Sequence, residues 1–419
     1  MPPAAFHDPA AAREFAATVV RRLRGAGHET YWAGGCVRDE LLGRTPADYD
    51  VATAATPGEV REVFGRSRTL AIGASFGVIT VLGPKPAGQV EVATFRADAA
   101  YTDGRHPAGV TFCSAREDAQ RRDFTINGLF LDPLTGEVHD FVDGRRDLAD
   151  GIVRAIGVPA MRFGEDHLRM LRAVRFTAFF GFVLERETRA AIEKMAALVG
   201  AVSPERVAAE LRAMVSRQGR RQAVELLLET GLAAVTVPEI APPAIDESAW
   251  RRGGAIVAAC DEPSLPMALA TLAETADPAA LPRTTARLRL SNREAREAEW
   301  LRAGIAVVEG GAAPATRPWS DLQRWVADDR GPMLADLLRA RAACGQADPG
   351  RATWFTDRAG RPRAEIDPPP LVTGNDLLAA GVPPGQAVGA ALARLRTLQL
   401  DGAISTREEA LGALRHKKA

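Results

Sequence analysis

The chain has 419 residues, 46% of them hydrophobic and 25% charged, an ordinary globular composition with room for more than one domain. Its 53 basic and 53 acidic side chains cancel, which argues against sequence-blind binding to long nucleic acid but not against a compact RNA held on a local basic strip. Four scattered cysteines (Cys36, Cys113, Cys260, Cys344) form no Cys-x-x-Cys, so neither a disulfide framework nor a zinc site is indicated. No apolar run is long enough for a bilayer and no basic segment leads into an apolar core, so a soluble cytoplasmic protein without membrane association is expected.

In chain order, residues 11–24 carry helical spacing (Phe15, Val19, Leu23) and stop at Gly25 and Gly27. Tyr31–Gly35 reads as a strand running into the Gly34-Gly35 turn, followed by a short helix, a loop and a strand opening with Asp48-Tyr49-Asp50. Alternate side chains of a strand share a face, which sets Asp48 and Asp50 about 6–7 Å apart, in reach of the same metal ions. Their hard oxygen ligands suit Mg²⁺. The two glycines remove the Cβ atoms that would keep a triphosphate from the backbone N–H groups, and Arg38, one helical turn on, can clamp phosphate oxygens. Neither Gly-x-x-x-x-Gly-Lys-Ser/Thr nor a helix-opening Gly-x-Gly-x-x-Gly occurs, so the common rival phosphate loops are excluded.

Thr56-Pro57 signals an N-cap with proline at the first helical position, opening a helix with Val60 and Phe64. Leu70–Ile72 and Val78–Leu82 read as strands, and Gln89–Arg96 alternates as another. Glu91 on that strand is either a third acidic group facing the metals or a surface carboxylate. Residues 97–118, with Asp98, Tyr101, Asp103, Arg105 and His106, are polar and aperiodic, which predicts a mobile loop. Next comes Arg121-Arg122-Asp123-Phe124-Thr125-Ile126-Asn127, which read alone is a helix start with a favourable Asp; an Asp and an Asn can also both address a ribose 2′-hydroxyl, which is donor and acceptor at once. Asp140-Phe141-Val142-Asp143-Gly144 ends on a glycine, where a hinge is physically reasonable.

The spacing over Arg162–Phe176 predicts a single helix burying Leu168, Leu171, Val174 and Ala178, with Asp166 and Arg169 projecting together from another side. Read alone the two are an intrahelical ion pair near a helix start. Were they to meet a base, as the resemblance given below implies, the carboxylate would accept from an exocyclic amino group and the guanidinium would donate to ring nitrogens or carbonyls. Cytosine and adenine carry that amino group where uracil and guanine carry a carbonyl. The remainder is mostly helical, with a clear start at Ser203-Pro204-Glu205 and Pro/Gly-rich breaks near 237–248, 307–318 and 346–374.

Taken together, Gly-Gly-x-Val-Arg-Asp with Asp-x-Asp, Arg-Arg-Asp-x-x-x-Asn and Glu165-Asp166-x-x-Arg169 resemble the motifs of class II tRNA nucleotidyltransferases (CCA-adding enzymes). They are shared with bacterial poly(A) polymerases, in the polymerase-beta-type nucleotidyltransferase superfamily. Arg206–Val215 is similar to that family's fifth motif, and the tail from Pro368 to Gly402 is similar to bacterial CCA-adding enzymes. Gly128 stands where the family more often has alanine, which should loosen a helix slightly.

The resemblance implies an α+β fold: a polymerase-beta-like head of mixed sheet and helices over 1–150, then an all-helical neck (151–220), body (221–345) and tail (346–419), the tail contacting tRNA. It implies Mg²⁺-dependent addition of CCA, or its terminal A, to tRNA 3′ ends from CTP and ATP, with no protein partner. Asp48 and Asp50 would be catalytic metal ligands, with Glu91 a third acid. Gly34, Gly35, Arg38, Arg122, Asp123, Asn127, Asp166, Arg169, Arg172 and Arg175 would bind the nucleotide, Arg175 being open to a structural role instead. The alternatives are a poly(A) polymerase, which shares the head motifs, and a catalytically silent RNA-binding relative, against which the intact Asp48 and Asp50 speak. The resemblance ties a retained loop at 97–118 to the addition of A, which argues against CC-only addition.

Overall fold

The structure, a computed structural model, describes residues 8–98 and 110–415. It divides into two compact units, Met1–Thr236 and Val237–Ala419. The first opens with helix α1 (Pro9–Gly25), longer at its start than the spacing predicts because Asp8 caps it, accepting from the N–H groups of Ala10 and Ala11. Strand β1 (Thr30–Ala33), α2 (Gly35–Leu41), β2 (Asp50–Thr53) and α3 (Pro57–Phe64) follow. The start of α3 is as expected: Thr56 and Glu59 form a reciprocal capping box around Pro57.

Strands β3 (Thr69–Leu70), β4 (Val78–Leu82) and β5 (Gln89–Thr94) continue the sheet, which β8 (Leu129–Leu131) and β9 (Val138–Asp140) complete after an intervening hairpin. The seven-stranded order is β3-β4-β5-β2-β1-β8-β9, with β2 and β5 parallel and the other neighbours antiparallel. One parallel pair in an otherwise antiparallel sheet makes it mixed, as expected. Helix α1 packs on β1, β2 and β5 and buries Val19, Val20 and Leu23, each worth about 1.5–3 kcal/mol relative to exposure. Another cluster gathers Ala33, Ala52, Phe95 and Phe130 with Ala115 and Ala119 of α4 (Ala115–Gln120).

The expected loop at 97–118 is corrected at both flanks. Backbone 96–98 (β6) pairs with 110–112 (β7), and α4 is held by a capping box between Ser114 and Glu117. Ser114-x-x-Glu117 was legible, but the polarity around it hid the pattern. Tyr101, Asp103, Arg105 and His106 lie outside the described residues.

Two glycine expectations are also corrected. Gly144 begins α5 (Gly144–Asp150) rather than forming a hinge, and it is buried so tightly that a Cβ would sit 2.2 Å from the carbonyl oxygen of Thr125. Gly128 ends a 3-10 turn (Thr125–Asn127) rather than lying inside a helix; a Cβ there would be 2.6 Å from Val142 Cγ2. Both positions are small because backbone and side chains approach closely, not because flexibility is needed.

Beyond the sheet, β10 (Ile152–Val153) pairs with β11 (Val183–Leu184), and helices α6 (Pro159–Glu165), α7 (Leu168–Phe180), α8 (Arg186–Met195), α9 (Pro204–Val215) and α10 (Arg220–Glu229) follow one another. The helix expected over Arg162–Phe176 is therefore two helices. Asp166 leaves helical geometry at φ −144°, and its Oδ1 accepts from Leu168 N–H at 3.0 Å, so the side chain starts α7 instead of continuing α6. The buried face of α7 is as predicted, with Leu168, Leu171, Val174 and Ala178 all in the core. Helix α9 starts at Pro204 as expected, although the Ser203 hydroxyl makes no capping bond.

Gly219, just before α10, has φ 78° and a virtual Cβ 1.7 Å from the Ala178 carbonyl oxygen of α7. Gly219→Ala is expected to cost more than about 3 kcal/mol, because left-handed backbone and backbone overlap coincide there. Urea unfolding measures this, and an unshifted midpoint would contradict it.

The second unit is helical, from Glu247–Ala259 to Arg407–Arg415. The break expected at 346–374 contains a helix at Pro349–Ala359, started by Asp348 and Pro349. No helix among the described residues is long and apolar enough to cross a membrane.

Candidate active site

A cleft of about 920 Å³ in the first unit is lined by Asp48 and Asp50 and by every residue expected to bind nucleotide: Gly34, Gly35, Arg38, Arg122, Asp123, Asn127, Asp166, Arg169, Arg172 and Arg175. Glu91 is not part of the lining, but it stands beside Asp50, as shown below.

The turn between β1 and α2 lies on the cleft wall. Gly34 adopts φ 73°, and a Cβ there would stand 2.7 Å from Arg122 Nη1, so its missing side chain makes room for that guanidinium. Its N–H is engaged with the Leu129 carbonyl at 3.1 Å. Gly34 therefore serves Arg122 directly, a purpose that sequence reading alone did not reveal. Arg38 is buried, donating from Nη1 to Asn127 Oδ1 at 2.6 Å and from Nε and Nη2 to Asp39 at 2.9 and 2.8 Å. Its guanidinium lies 4.6 Å from the Phe180 ring centroid and 5.2 Å from that of Phe176.

The acidic pair straddles the start of β2, which begins at Asp50 rather than Asp48. Tyr49 between them points the other way: it is buried against Trp32 at 4.7 Å and donates its hydroxyl to Glu40 at 2.7 Å. That alternation leaves Asp48 and Asp50 on the cleft side. In the parallel β2–β5 pair Asp50 is the direct partner of Glu91, which puts their side chains on one face of neighbouring strands. Burial, then the charges of Asp48 and Glu91, push the Asp50 carboxyl up to about 7 against the opposing pull of Arg122. Asp50 is nonetheless open to water on its cleft side.

Asp48 and Asp50, open to the cleft and without an ion-pair partner among the described residues, suit a divalent cation. Among the described residues no group of three or more His, Cys, Asp and Glu closes into a metal cage. An open pair is nonetheless the kind of donor set on which Mg²⁺ keeps waters and substrate phosphate oxygens as its other ligands. Cys36 below this site is inert, since burial pushes its thiol up to about 12.

The Arg121–Asn127 stretch is tied down from beneath. Asp118 on α4 binds Arg122 through Nε (3.1 Å) and Nη2 (3.0 Å) and also holds Arg121. Burial opposes ionisation of Asp118, but Arg122 and Arg121 outweigh it and hold its carboxyl below the usual range. Asp123 is gripped by Arg172 at 2.6 and 2.8 Å and accepts from Asn127 Nδ2 at 2.9 Å. Against burial, Arg172 and Asn127 keep its carboxyl at about 2.

Asp166 and Arg169 face the cleft but not each other. Asp166 Oδ2 accepts from Arg206 of α9 at 2.7 Å, while Arg169 donates to Glu165 at 2.5 Å and to the Arg162 carbonyl at 3.1 Å. Arg175 gives Nε to Glu210 at 2.6 Å, a structural bond, while still lining the cleft. Sequence reading missed Asp118, Glu165, Arg206 and Glu210 as partners, and Phe176 and Phe180 as the shelf under Arg38. Asp118 and Glu165 left a signal, Asp118 three and four residues before Arg121 and Arg122, and Glu165 four before Arg169.

Residues 30–154 match the family model described as "Poly A polymerase head domain", and residues 181–242 match "Probable RNA and SrmB- binding site of polymerase A". The chain is 42% identical over 215 residues to a protein of Lactiplantibacillus plantarum named CCA-adding enzyme, covering 51% of this chain and 52% of that one. A Bacillus subtilis protein of the same name is also 42% identical over 215 residues, covering 51% and 53%. The match thus spans about half the length of these curated relatives. In structure, the chain resembles the Bacillus stearothermophilus CCA-adding enzyme solved in complex with CTP. The TM-score is 0.77 at 27% identity, with 97% of this chain and 98% of that one covered.

Proposed function

We propose that this chain, which belongs with the CCA-adding enzymes and bacterial poly(A) polymerases, adds CCA or its terminal A to the 3′ end of tRNA. CTP and ATP are the donors and pyrophosphate is released. The observation that carries the reading is the single cleft that gathers an open acid pair, a buried arginine–amide floor and a carboxylate–guanidinium pair from four separate stretches of chain. The homologous head, the curated relatives and the likeness to a CTP-bound structure support it.

On this reading Asp48 and Asp50 hold Mg²⁺, with Glu91 adding negative charge beside Asp50. A bound divalent ion supplies Lewis acidity at the α-phosphate and favours ionisation of the attacking hydroxyl. Arg38 and Arg122, each fixed by carboxylate or amide partners, meet the triphosphate beside the Gly34-Gly35 turn without reorganising. Asp123 and Asn127 present an acceptor-rich edge to the ribose, braced by Arg172. Asp166 accepts the exocyclic amino group of cytosine or adenine, and Arg169 donates to the neighbouring acceptor. UTP and GTP would bring a carbonyl against Asp166 and leave both oxygens without a proton. Arg175 steadies the neck through Glu210. Functionally the chain divides into head, neck, body and tail, with boundaries near 150, 220 and 345, and works in the cytoplasm.

The direct test offers Mg²⁺ and tRNA transcripts ending before CCA, after C or after CC, each with CTP, ATP or both. Sequenced products ending in CCA on all three are the expected result. Addition confined to A on the CC-ended transcript would make it an A-adding enzyme. A long A tail would move it to the poly(A) polymerases, and no extension at all would favour the catalytically silent relative.

A further inference from the structure

Most arginines lining the cleft are neutralised: Arg38 by Asp39, Arg121 and Arg122 by Asp118, Arg169 by Glu165, Arg172 by Asp123, Arg175 by Glu210 and Arg206 by Asp166. Arg44 and Arg217 line the same cleft, are exposed, and have no carboxylate partner among the described residues. Both instead lie over one ring. Their guanidinium carbons stand 5.2 and 5.3 Å from the centroid of Phe179, and Arg44 is also 5.2 Å from that of Phe180. The two rings meet edge to face at 4.8 Å, so this shelf is anchored in α7. A guanidinium resting on an aromatic face keeps its direction while its N–H donors stay free.

The position matters as much as the charge. Arg44 belongs to the same loop as Asp48, and Thr45 and Ala47 between them also line the cleft. Arg217 follows α9 and adds to the local positive charge; after burial, the charges of Arg172 and Arg217 hold the Arg175 guanidinium below its usual value despite Glu210. The residues proposed for the incoming nucleotide already carry their own arginines, each with a fixed partner. The uncompensated pair is left for a second anion close to Asp48.

We propose that Arg44 and Arg217, aligned by Phe179, grip the terminal phosphodiesters of the RNA acceptor strand. This rests on the reading that an RNA 3′ end is the acceptor. Phe179 acts as a positioning residue, and the two guanidiniums make the contact. Two aimed, unneutralised donors suit a backbone whose phosphates must be held whatever base was added last.

The test measures binding of an acceptor-stem minihelix ending in unpaired CC, without nucleotide, across a salt series. Each phosphate contact on a single strand contributes about 0.7 to the slope of log affinity against log salt. Arg44→Ala and Arg217→Ala should each make the slope shallower by about 0.7, and the double variant by about 1.4. CTP affinity by calorimetry should stay at the wild-type value. Phe179→Leu should weaken minihelix binding and Phe179→Tyr should restore it. An unchanged slope in the double variant would overturn the proposal. So would lost CTP affinity with an unchanged slope, which would reassign the pair to the triphosphate. A wild-type chain that binds the minihelix but extends no transcript would overturn the transferase reading instead, leaving the grip judged on the slope alone.

Discussion

Asp48→Ala is expected to lower nucleotidyl transfer by at least about 10³-fold while leaving the fold intact, because it removes one of two carboxylates proposed to hold Mg²⁺. Asp50→Asn should be equally inactive, yet its metal-free melting temperature should equal or exceed that of the wild type. The sign follows from the carboxyl lying at about 7 in the fold, above its ordinary 3.8. A group with a raised folded pKa is a weak acid in the native state. Its ionisation therefore opposes folding increasingly as pH rises from near 4 towards 7, and the penalty persists above that. A neutral amide of the same shape removes this penalty. Added Mg²⁺ should raise the melting temperature of the wild type but not of Asp50→Asn, since a ligand stabilises only the state that binds it. Retained turnover in Asp48→Ala, or an equal Mg²⁺ response in both proteins, would count against the acid pair as the metal site.

Asp166→Ala is expected to retain Mg²⁺ binding but to lose on the order of 10²-fold of the discrimination between CTP and UTP. On the proposed reading, UTP is rejected because two oxygens would meet without a proton in a closed site, and alanine removes one of them. The variant also releases Arg206, whose Nη2 now holds Asp166 Oδ2 at 2.7 Å. Arg206→Ala should therefore blur the choice in the same direction but less, because Leu168 N–H still holds Oδ1. Competition between CTP and UTP on a transcript ending before CCA gives the ratio directly. An unchanged ratio in Asp166→Ala would remove that residue from base recognition.

The local punctuation of the chain was readable without coordinates wherever one short stretch supplied the physics. Thr56 and Pro57 start a helix whatever surrounds them, and Asp48-Tyr49-Asp50 alternates faces as the chain extends into β2. The buried face of α7 follows from spacing in the same way. The break at Asp166 did not, because a mid-pattern Asp can either remain helical or turn its side chain back to Leu168 N–H. Gly34, Gly128 and Gly144 look alike in a sequence. Only packing separates room for Arg122 from a clash with Val142 or with the Thr125 backbone.

By itself, then, the sequence determined which chemical groups this protein carries, the period and ends of many of its elements, and the motifs in which it resembles a known family. Tertiary structure alone decided how those groups are charged and held. The register that sets Asp50 beside Glu91, the Arg206 grip on Asp166 and the placing of Arg44 and Arg217 over Phe179 each join residues far apart in the chain. Electrostatic energy depends on distance through space and on burial, and neither is a function of distance along the sequence.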